Sequence, residues 1–356
     1  MMPLRTMADK LKIGIVGTGG MGKIHAAAYM KNEHAVVRGV CSITRDLAQE
    51  FADGKWDMVE YGEGQMEARS RYRIPVVYDG WKEMAADPDI QAVSIVVPNA
   101  LHHEIGMEML RQGKHVLMEK PLAVNAVQAA ELVAQARTHG VLLATGHMWR
   151  FHREVEFARQ VVADGILGDI VQTKSYGLHL RWGPSGWFTQ PELAGGGALI
   201  DMGVHAIDTA RWILGEPAAQ SVYAVVGPRF KEKLVDDFAQ IMVQFAGGVT
   251  SLFESGWHFP RISGAEASTE LWGTRGYARL FPTSVSLQMG GKWGTFELEE
   301  KESHTSLEPY AREVDDFVNA IVNKTTCRTG YEVGLEVMRI VDAAYRSSRE
   351  NKVVML

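Results

Sequence analysis

Three side chains that can handle protons recur at helical spacing in the middle of the sequence. Asp201, His205 and Asp208 follow three glycines in the stretch GGGALIDMGVHAID, Gly195–Asp208. Positions i, i+4 and i+7 lie on one face of a helix, so we expect the three side chains to stack there. A carboxylate one turn from an imidazole can orient the ring and stabilise its charged form. The spacing fits a proton-transferring site, and it also fits an ordinary amphipathic helix with a glycine-rich start.

A second cluster with chemical meaning is a glycine-rich turn near the N-terminus. The pattern GxGxxG consists of Gly17, Thr18, Gly19, Gly20, Met21 and Gly22. An apolar strand pattern precedes it and a helical pattern follows it. In that context the first glycine permits a tight turn, the second lets backbone approach a pyrophosphate, and the third allows close helix–strand packing. We therefore predict a dinucleotide site, with a turn made only for packing as the alternative.

The residues after the second predicted strand bear on which dinucleotide would bind. A carboxylate about 20 residues past the glycines would bind the ribose 2′-hydroxyl of NAD. This sequence has Ser42 after the strand, with Arg45 close behind. A hydroxyl and a guanidinium suit a 2′-phosphate, so the sequence favours NADP over NAD. The alternative is that Arg45 only begins a solvated helix and that Asp46 serves an NAD ribose.

Polar residues also follow two later apolar strands. Pro98, Asn99 and His102 come after Ala92–Val97, and Glu119 and Lys120 come after His115–Met118. Groups at the carboxyl end of such strands face the ligand crevice of a doubly wound sheet, so we expect all five to line the cofactor site. The Lys120 ammonium could also hydrogen-bond a substrate hydroxyl and favour its alkoxide as hydride leaves. The alternative is a surface lysine paired with Glu119.

The elements that must position these residues form two patterns. Strands and helices alternate to about residue 148, which predicts a doubly wound parallel sheet. From residue 149 to 356 short apolar runs follow one another between glycine or proline turns, which predicts a large, mostly antiparallel open sheet with helices. We therefore expect an α/β protein of two domains, 1–148 for the dinucleotide and 149–356 for substrate binding and oligomerisation.

The second domain contributes three further expectations. Arg150 could look into the substrate cleft, although packing at the hinge is an equal alternative. Trp187 could stack on a sugar, although core packing is the commoner fate of tryptophan. Odd positions of the strand from Ile170 to Arg181 share one face, and we favour a solvated face over a sugar-binding one.

Bulk composition excludes several functional classes. The chain has 356 residues, 46% hydrophobic and 22% charged, with a net charge of −6. An acidic balance argues against binding to nucleic acid or an anionic membrane surface. No apolar run is long enough to span a bilayer, and the two cysteines have no CxxC spacing. These features predict a cytoplasmic location and no thiolate metal site. We also expect no metal at Asp201 and His205, because no cluster of further metal-ligating residues accompanies them.

The sequence as a whole resembles the Gfo/Idh/MocA oxidoreductases. The matching segments are GTGGMGKIHA (Gly17–Ala26), VPNALHHE (Val97–Glu104), GKHVLMEKPLA (Gly113–Ala123) and GGGALIDMGVHAID (Gly195–Asp208). The resemblance implies a Rossmann domain and an NAD(P)-dependent enzyme acting on a sugar, polyol or related hydroxyl or carbonyl compound. It assigns the reacting centre to Lys120, Asp201 and His205. It also implies a homo-oligomer, a dimer or tetramer.

Two alternatives for the function stay open at this point. Some relatives hold the nicotinamide permanently and use transient oxidation to cleave a glycosidic bond. Other proteins of related fold are non-catalytic, ligand-sensing regulators. The presence of Lys120, Asp201 and His205 speaks against the regulator.

Overall fold

A computed structural model describes residues 10–56, 73–230, 235–260, 266–299, 302–303 and 306–356. Its contacts divide the described residues into two compact units. The first unit draws on Met1–Ala123, Val127–Met148 and Ser303–Leu335, and the second on Val124–Ala126, Trp149–Glu302 and Glu336–Leu356. Within the described part of the chain, every helix is too short or too polar to cross a lipid bilayer.

The first unit contains an alternating series of strands and helices. In chain order they are β1 Leu11–Val16, α1 Gly20–Lys31, β2 Ala35–Cys41, α2 Arg45–Ala52, β3 Val76–Val77, α3 Trp81–Ala86, β4 Ala92–Ile95, α4 His102–Arg111, β5 His115–Glu119, α5 Ala126–His139 and β6 Leu143–Gly146. The strands form one six-stranded sheet in the order β3-β2-β1-β4-β5-β6, with every neighbouring pair parallel. This order places the carboxyl ends of β1 and β4 at the point where the winding reverses, where such sheets bind ligands.

The core of this sheet explains why its strands are apolar throughout. Ile13 and Ile15 of β1 are fully buried, and Ala26 and Ala28 of α1 pack into the same cluster. A central parallel strand is covered on both faces, so it reads as a continuous hydrophobic run. The small alanines let α1 lie close to the sheet directly after the glycine turn.

The second unit is built around a larger sheet. The remaining elements, in chain order, are α6 Arg153–Ala163, β7 Ile170–Leu180, α7 Pro191–Ala194, α8 Val204–Ile213, β8 Ala219–Gly227, β9 Phe238–Phe245, β10 Thr250–Phe259, β11 Ala267–Gly273, β12 Gly276–Arg279, β13 Ser284–Met289, β14 Lys292–Glu297, α9 Glu308–Val322, α10 Glu332–Glu350 and β15 Val354–Met355. The nine strands are ordered β14-β13-β12-β11-β7-β10-β9-β8-β15. All neighbours are antiparallel except β7 and β10. The predicted fold class, a parallel sheet followed by a mostly antiparallel one, is confirmed.

One segment groups differently from the predicted division at residue 148. Helix α9 belongs to the first unit, although it follows the whole second sheet in sequence. Its buried residues Val314, Phe317 and Val318 join the same hydrophobic cluster as α1 and β1. An amphipathic helix packs against the elements that cover its apolar stripe. The segment Ser303–Leu335 therefore groups with the first unit, whereas the predicted division placed it in the domain 149–356.

The predicted solvated face of β7 is also wrong. Thr173 and Ser175 are fully buried. The Thr173 hydroxyl donates to Ser251 Oγ at 2.6 Å, and the Ser175 hydroxyl donates to Thr269 Oγ1 at 3.1 Å. Polar side chains on a strand can thus face a covered surface when neighbouring strands supply their hydrogen-bond partners.

Candidate active site

The glycine turn after β1 has the shape that a pyrophosphate requires. Gly17 has a φ of +105°, and a Cβ there would lie 2.3 Å from the Val96 carbonyl oxygen. A Cβ on Gly22 would lie 2.3 Å from the Gly17 carbonyl oxygen, whereas a Cβ on Gly19 would meet nothing within 4 Å. The first and third glycines are therefore needed for packing, and the second faces open space beside the start of α1.

The other residues of the turn leave the helix end suited to an anion. Helix α1 begins at Gly20 and has no acidic residue in its first turn. Thr18 and Gly20 are half-buried, and Met21 packs against the first hydrophobic cluster. Backbone N–H groups at a helix N-terminus favour negative charge, so these residues fit the phosphates of a dinucleotide.

The residues predicted to choose between NADP and NAD lie beyond β2. Ser42 Oγ is 2.7 Å from Thr18 Oγ1, which ties the end of β2 to the glycine turn. Arg45 begins α2, is more than half exposed and forms an ion pair with Asp79. Asp46, the alternative ribose ligand, is exposed on the first turn of the same helix.

The residues that follow β4 form a short turn in which one predicted cofactor contact is buried. Pro98 is half-buried and Asn99 is buried in the helical turn Asn99–Leu101. His102 is fully buried, with its ring nitrogens 2.8 Å from the Pro121 carbonyl oxygen and 3.0 Å from the Val97 carbonyl oxygen. Burial lowers the pKa of the His102 imidazole. The His102 ring therefore braces two backbone segments, and its contact with the cofactor stays a prediction.

The Glu119 carboxylate is also committed to neighbours within the first unit. It lies 3.1 Å from His25 Nε2 and accepts a hydrogen bond from the Lys120 backbone N–H at 2.9 Å. Burial opposes the charge, but the His25 hydrogen bond and Lys120 outweigh it, so the pKa of the Glu119 carboxyl lies below its usual value. Ser94 lies 3.1 Å from the other ring nitrogen of His25. Glu119 thus fixes the backbone of the half-buried Lys120, and a direct cofactor contact is not needed to explain it.

In the second unit, the triple glycine leads into the chain segment that carries Asp201. Residues Leu199–Gly203 form a π-helical turn, and α8 begins directly after it. The carboxylate of Asp236 accepts hydrogen bonds from the N–H groups of Gly197 and Leu199, both at 2.8 Å. A Cβ on Gly197 would lie 1.8 Å from the Asp236 carbonyl oxygen, so only glycine permits this approach. π-helical turns are frequent at functional sites because they re-aim one side chain.

Asp201 lies among aromatic and polar side chains of the second unit. Trp257 donates its indole N–H to Asp201 Oδ2 at 3.1 Å, and His179 Nε2 is 3.8 Å from the same oxygen. The His179 ring stacks on Trp182 with 3.7 Å between centroids. Both rings are tied to Glu266, since its carboxylate lies 3.1 Å from His179 Nδ1 and accepts the Trp182 indole N–H at 3.1 Å. Trp182 is 47% exposed, so the cluster has an open aromatic surface beside a held carboxylate.

His205 is half-buried on the first turn of α8. It lines a small pocket of about 20 Å³ with Tyr176, Met202, Thr209 and Phe281. Trp187, the predicted sugar contact, is half-buried and stacks on Phe188 with 3.8 Å between centroids. Within the described residues, no group of three or more His, Cys, Asp or Glu side chains is arranged to hold a metal ion.

The predicted substrate contact Arg150 has a different place. It is fully buried, and its guanidinium donates to both Asp208 oxygens at 2.7–3.0 Å and lies 2.8 Å from Glu216. Burial opposes its charge, but Asp208 and Glu216 outweigh it and raise the pKa of Arg150. The buried ion pair favours the packing alternative for Arg150, and a substrate contact stays a prediction. Asp208 is held by Arg150, whereas Asp201 accepts a hydrogen bond from Trp257.

Sequence reasoning missed the residues around Asp201 because they come from separate strands. His179, Glu266 and Trp257 belong to β7, the segment before β11, and β10. Lys120 lies in the first unit, and Asp201 and His205 lie in the second. The only early signal was the odd face of β7, on which His179 lies.

Comparisons with known proteins identify the family and the fold of both sheets. The model of the GFO_IDH_MocA oxidoreductase family, NAD-binding Rossmann fold, matches residues 11–147, and the GFO/IDH/MocA C-terminal domain matches residues 155–279. D-glucoside 3-dehydrogenase of Escherichia coli (strain K12) is 29% identical over 371 residues, covering 98% of each chain. D-xylose 1-dehydrogenase (NADP(+)) 2 of Haloferax volcanii is 28% identical over 350 residues, covering 97% of this chain and 100% of the relative.

A solved structure shows the same fold over the full length. GenD2 from gentamicin A biosynthesis, crystallised in complex with NAD, is 25% identical with a TM-score of 0.82, covering 100% of this chain and 99% of that one. The two family matches, the six-stranded parallel sheet and the glycine turn agree with one another. The chain therefore belongs to the Gfo/Idh/MocA family of NAD-binding oxidoreductases.

Proposed function

We propose that this chain is an NAD(P)-dependent dehydrogenase or reductase that acts on a CH–OH group of a sugar or polyol. The observation that carries the proposal is the open space at Gly19, bounded by two glycines that packing requires. Both full-length relatives named above are sugar or glucoside dehydrogenases. They do not favour the glycosidase or the regulator.

The chemistry is divided among three residues of this chain. A nicotinamide dinucleotide held at the glycine turn Gly17–Gly22 would supply the hydride acceptor for oxidation of the substrate carbon. His205 accepts the hydroxyl proton, and the Lys120 ammonium hydrogen-bonds the same oxygen and favours its alkoxide. Asp201, held by Trp257, orients His205 or the substrate. The support for these roles is the residue chemistry and the family motifs that carry them.

The aromatic cluster beside Asp201 supports a sugar as the substrate. The exposed Trp182 ring offers an apolar face to sugar C–H groups, and Trp187 offers a second one. Glu266 and His179 supply hydrogen-bonding atoms next to the Trp182 ring. Such a mixture of aromatic faces and few fixed polar groups is typical of sites that orient small polar ligands.

A panel assay tests the proposed activity. The wild-type chain is incubated with NAD or NADP and a set of sugars and polyols, and absorbance of the reduced nicotinamide is followed. Net reduction of NAD or NADP with at least one sugar or polyol supports the proposal. Release of an aglycone without net reduction would support the glycosidase instead, and neither signal over a broad panel would contradict both.

The glycine turn makes a prediction about cofactor binding. Gly19→Val should fold normally, since its side chain enters open space, yet weaken dinucleotide binding by about tenfold or more because a phosphate hydrogen bond is lost. Nucleotide fluorescence titration measures the affinity. Leu47→Val, at an exposed position of α2, is a control for a surface change. Unchanged affinity in Gly19→Val would contradict the placement of the pyrophosphate.

Cofactor preference is a second prediction, and we propose NADP over NAD. Arg45 must exchange Asp79 for a 2′-phosphate, so Arg45→Ala should weaken NADPH binding by about tenfold and leave NADH binding nearly unchanged. Comparing the two affinities in wild type and variant checks it. Unchanged affinity for both nucleotides would support the alternative in which Arg45 only begins a solvated helix and Asp46 serves an NAD ribose, and equal losses would contradict a specific contact with the 2′-phosphate.

We also propose that the chain assembles as a homo-oligomer, a dimer or tetramer, through the second sheet. Several large apolar side chains of that sheet are exposed, namely Val225, Met242, Trp272, Met289, Trp293 and Phe296. An apolar sheet face of this kind is commonly covered by a partner. With the acidic net charge and no spanning helix among the described residues, a cytoplasmic location completes the proposal.

A further inference from the structure

A second polar cavity lies in the second unit, outside the residues assigned to the reaction. Its volume is about 610 Å³, which is within the range of small-molecule sites. One wall is a face of α10 with Arg339, Asp342, Arg346 and Arg349, at spacings of three, four and three residues. We propose that this cavity is a regulatory site that binds a small phosphate-bearing molecule.

The charges of this wall favour an anion. Arg339 is engaged by Glu336, and Glu350 is engaged by Lys352 at 2.8 Å. Arg346 and Arg349 are both exposed, one turn apart, and neither forms an ion pair within 4 Å among the described residues. Lys352 chiefly, with Arg346 and Arg349 nearby, lowers the pKa of the Glu350 carboxyl. Two guanidinium groups at this spacing can together bind one phosphate with parallel hydrogen bonds.

The one carboxylate of the wall is already committed. Asp342 accepts a hydrogen bond from the Ala126 backbone N–H at 2.8 Å. Burial raises the pKa of Asp342 above its usual value, against the hydrogen bond and Arg349. When Asp342 is charged, it offsets part of the charge of Arg349, whose guanidinium favours that charged form.

A chain of direct contacts joins the cavity to the segment that carries Asp201. The Tyr345 ring lines the cavity, and its hydroxyl donates to Asp236 Oδ1 at 2.8 Å. The same carboxylate accepts hydrogen bonds from the N–H groups of Gly197 and Leu199, which lie four and two residues before Asp201. A ligand that moves Tyr345 would therefore shift the segment that carries Asp201. That this shift changes activity rests on the function proposed above for Asp201.

Calorimetry tests the site without relying on turnover. Inorganic phosphate is titrated into the chain saturated with NADPH, which fills the glycine turn, at constant ionic strength set with chloride. We expect saturable binding that weakens by about tenfold or more in Arg346→Gln/Arg349→Gln, because two charge-assisted hydrogen bonds are lost. Arg279→Gln/Lys292→Gln removes the same charge from β12 and β14, outside the cavity, and should bind like wild type.

Two results would overturn the proposal. One is an absence of binding to the wild-type chain, and the other is equal binding by both double variants, which would indicate general charge attraction. The regulatory part has its own test. Phosphate should change kcat or KM of the wild type and not of Tyr345→Phe, which keeps the ring and loses the hydroxyl. An equal response in Tyr345→Phe would contradict regulation through Asp236. Calorimetric titration of phosphate into Tyr345→Phe would still show whether the cavity binds phosphate.

Discussion

Replacing His205 by alanine is expected to lower turnover by about 100-fold or more while nucleotide affinity stays near the wild-type value. The reason is that the proposed proton acceptor is removed, whereas the glycine turn that holds the phosphates belongs to the other unit and is unchanged. Steady-state kinetics and nucleotide titration, carried out on the same preparation, measure the two quantities. The loss should appear in kcat and in kcat/KM alike, because proton transfer occurs only in the transition state.

His139→Ala is the matched control for this experiment. His139 is an exposed imidazole at the end of α5 with one backbone contact, to the Gln135 carbonyl oxygen. Its loss should leave kcat and stability near wild type. If His205→Ala kept wild-type turnover, His205 would not be the proton acceptor, and the division of roles among Lys120, Asp201 and His205 would have to be revised.

Arg150→Met should destabilise the second unit by about 3–5 kcal/mol, because it leaves Asp208 buried without its main partner. For a unit of this size the loss corresponds to a fall in Tm of about 6 °C or more. Calorimetric melting checks it. Since the Arg150 guanidinium is fully buried against Asp208 and Glu216, KM for substrate measured at low temperature should change little.

The double variant Arg150→Met/Asp208→Leu separates charge burial from packing. Removing both partners eliminates the uncompensated carboxylate, so the double variant should melt above Arg150→Met. A double variant that melts lower still would show that side-chain volume, rather than the ion pair, sets stability there. A large rise in KM with unchanged Tm in Arg150→Met would instead restore the substrate-binding prediction.

The sequence predicts those parts of the site whose geometry depends on one short, contiguous segment. The glycine turn needs only its own φ angles and the helix that follows it, so Gly17, Gly19 and Gly22 could be interpreted in order. The family resemblance likewise rests on contiguous motifs. The parallel pairing of the first sheet follows from the alternation of strands and helices together with right-handed crossovers.

The parts that sequence did not predict depend on pairings far apart in the chain. Trp257 reaches Asp201 across 56 residues, and Arg150 reaches Asp208 across 58. Spacing of i, i+4 and i+7 assumes an unbroken α-helix from Asp201 to Asp208, whereas Asp201 lies in a π-helical turn that precedes α8. Helix α9 was assigned by its position in sequence, but its apolar stripe packs with α1.

The most direct test of the account is a crystal structure of the chain with NADP or NAD and a bound sugar or polyol substrate from the panel. We expect Lys120 Nζ and a ring nitrogen of His205 within about 3.2 Å of one substrate oxygen. The carbon that bears this oxygen should lie about 3–3.5 Å from the nicotinamide carbon that takes the hydride. A substrate oxygen that contacts neither side chain, or a pyrophosphate bound away from Gly19, would contradict the account.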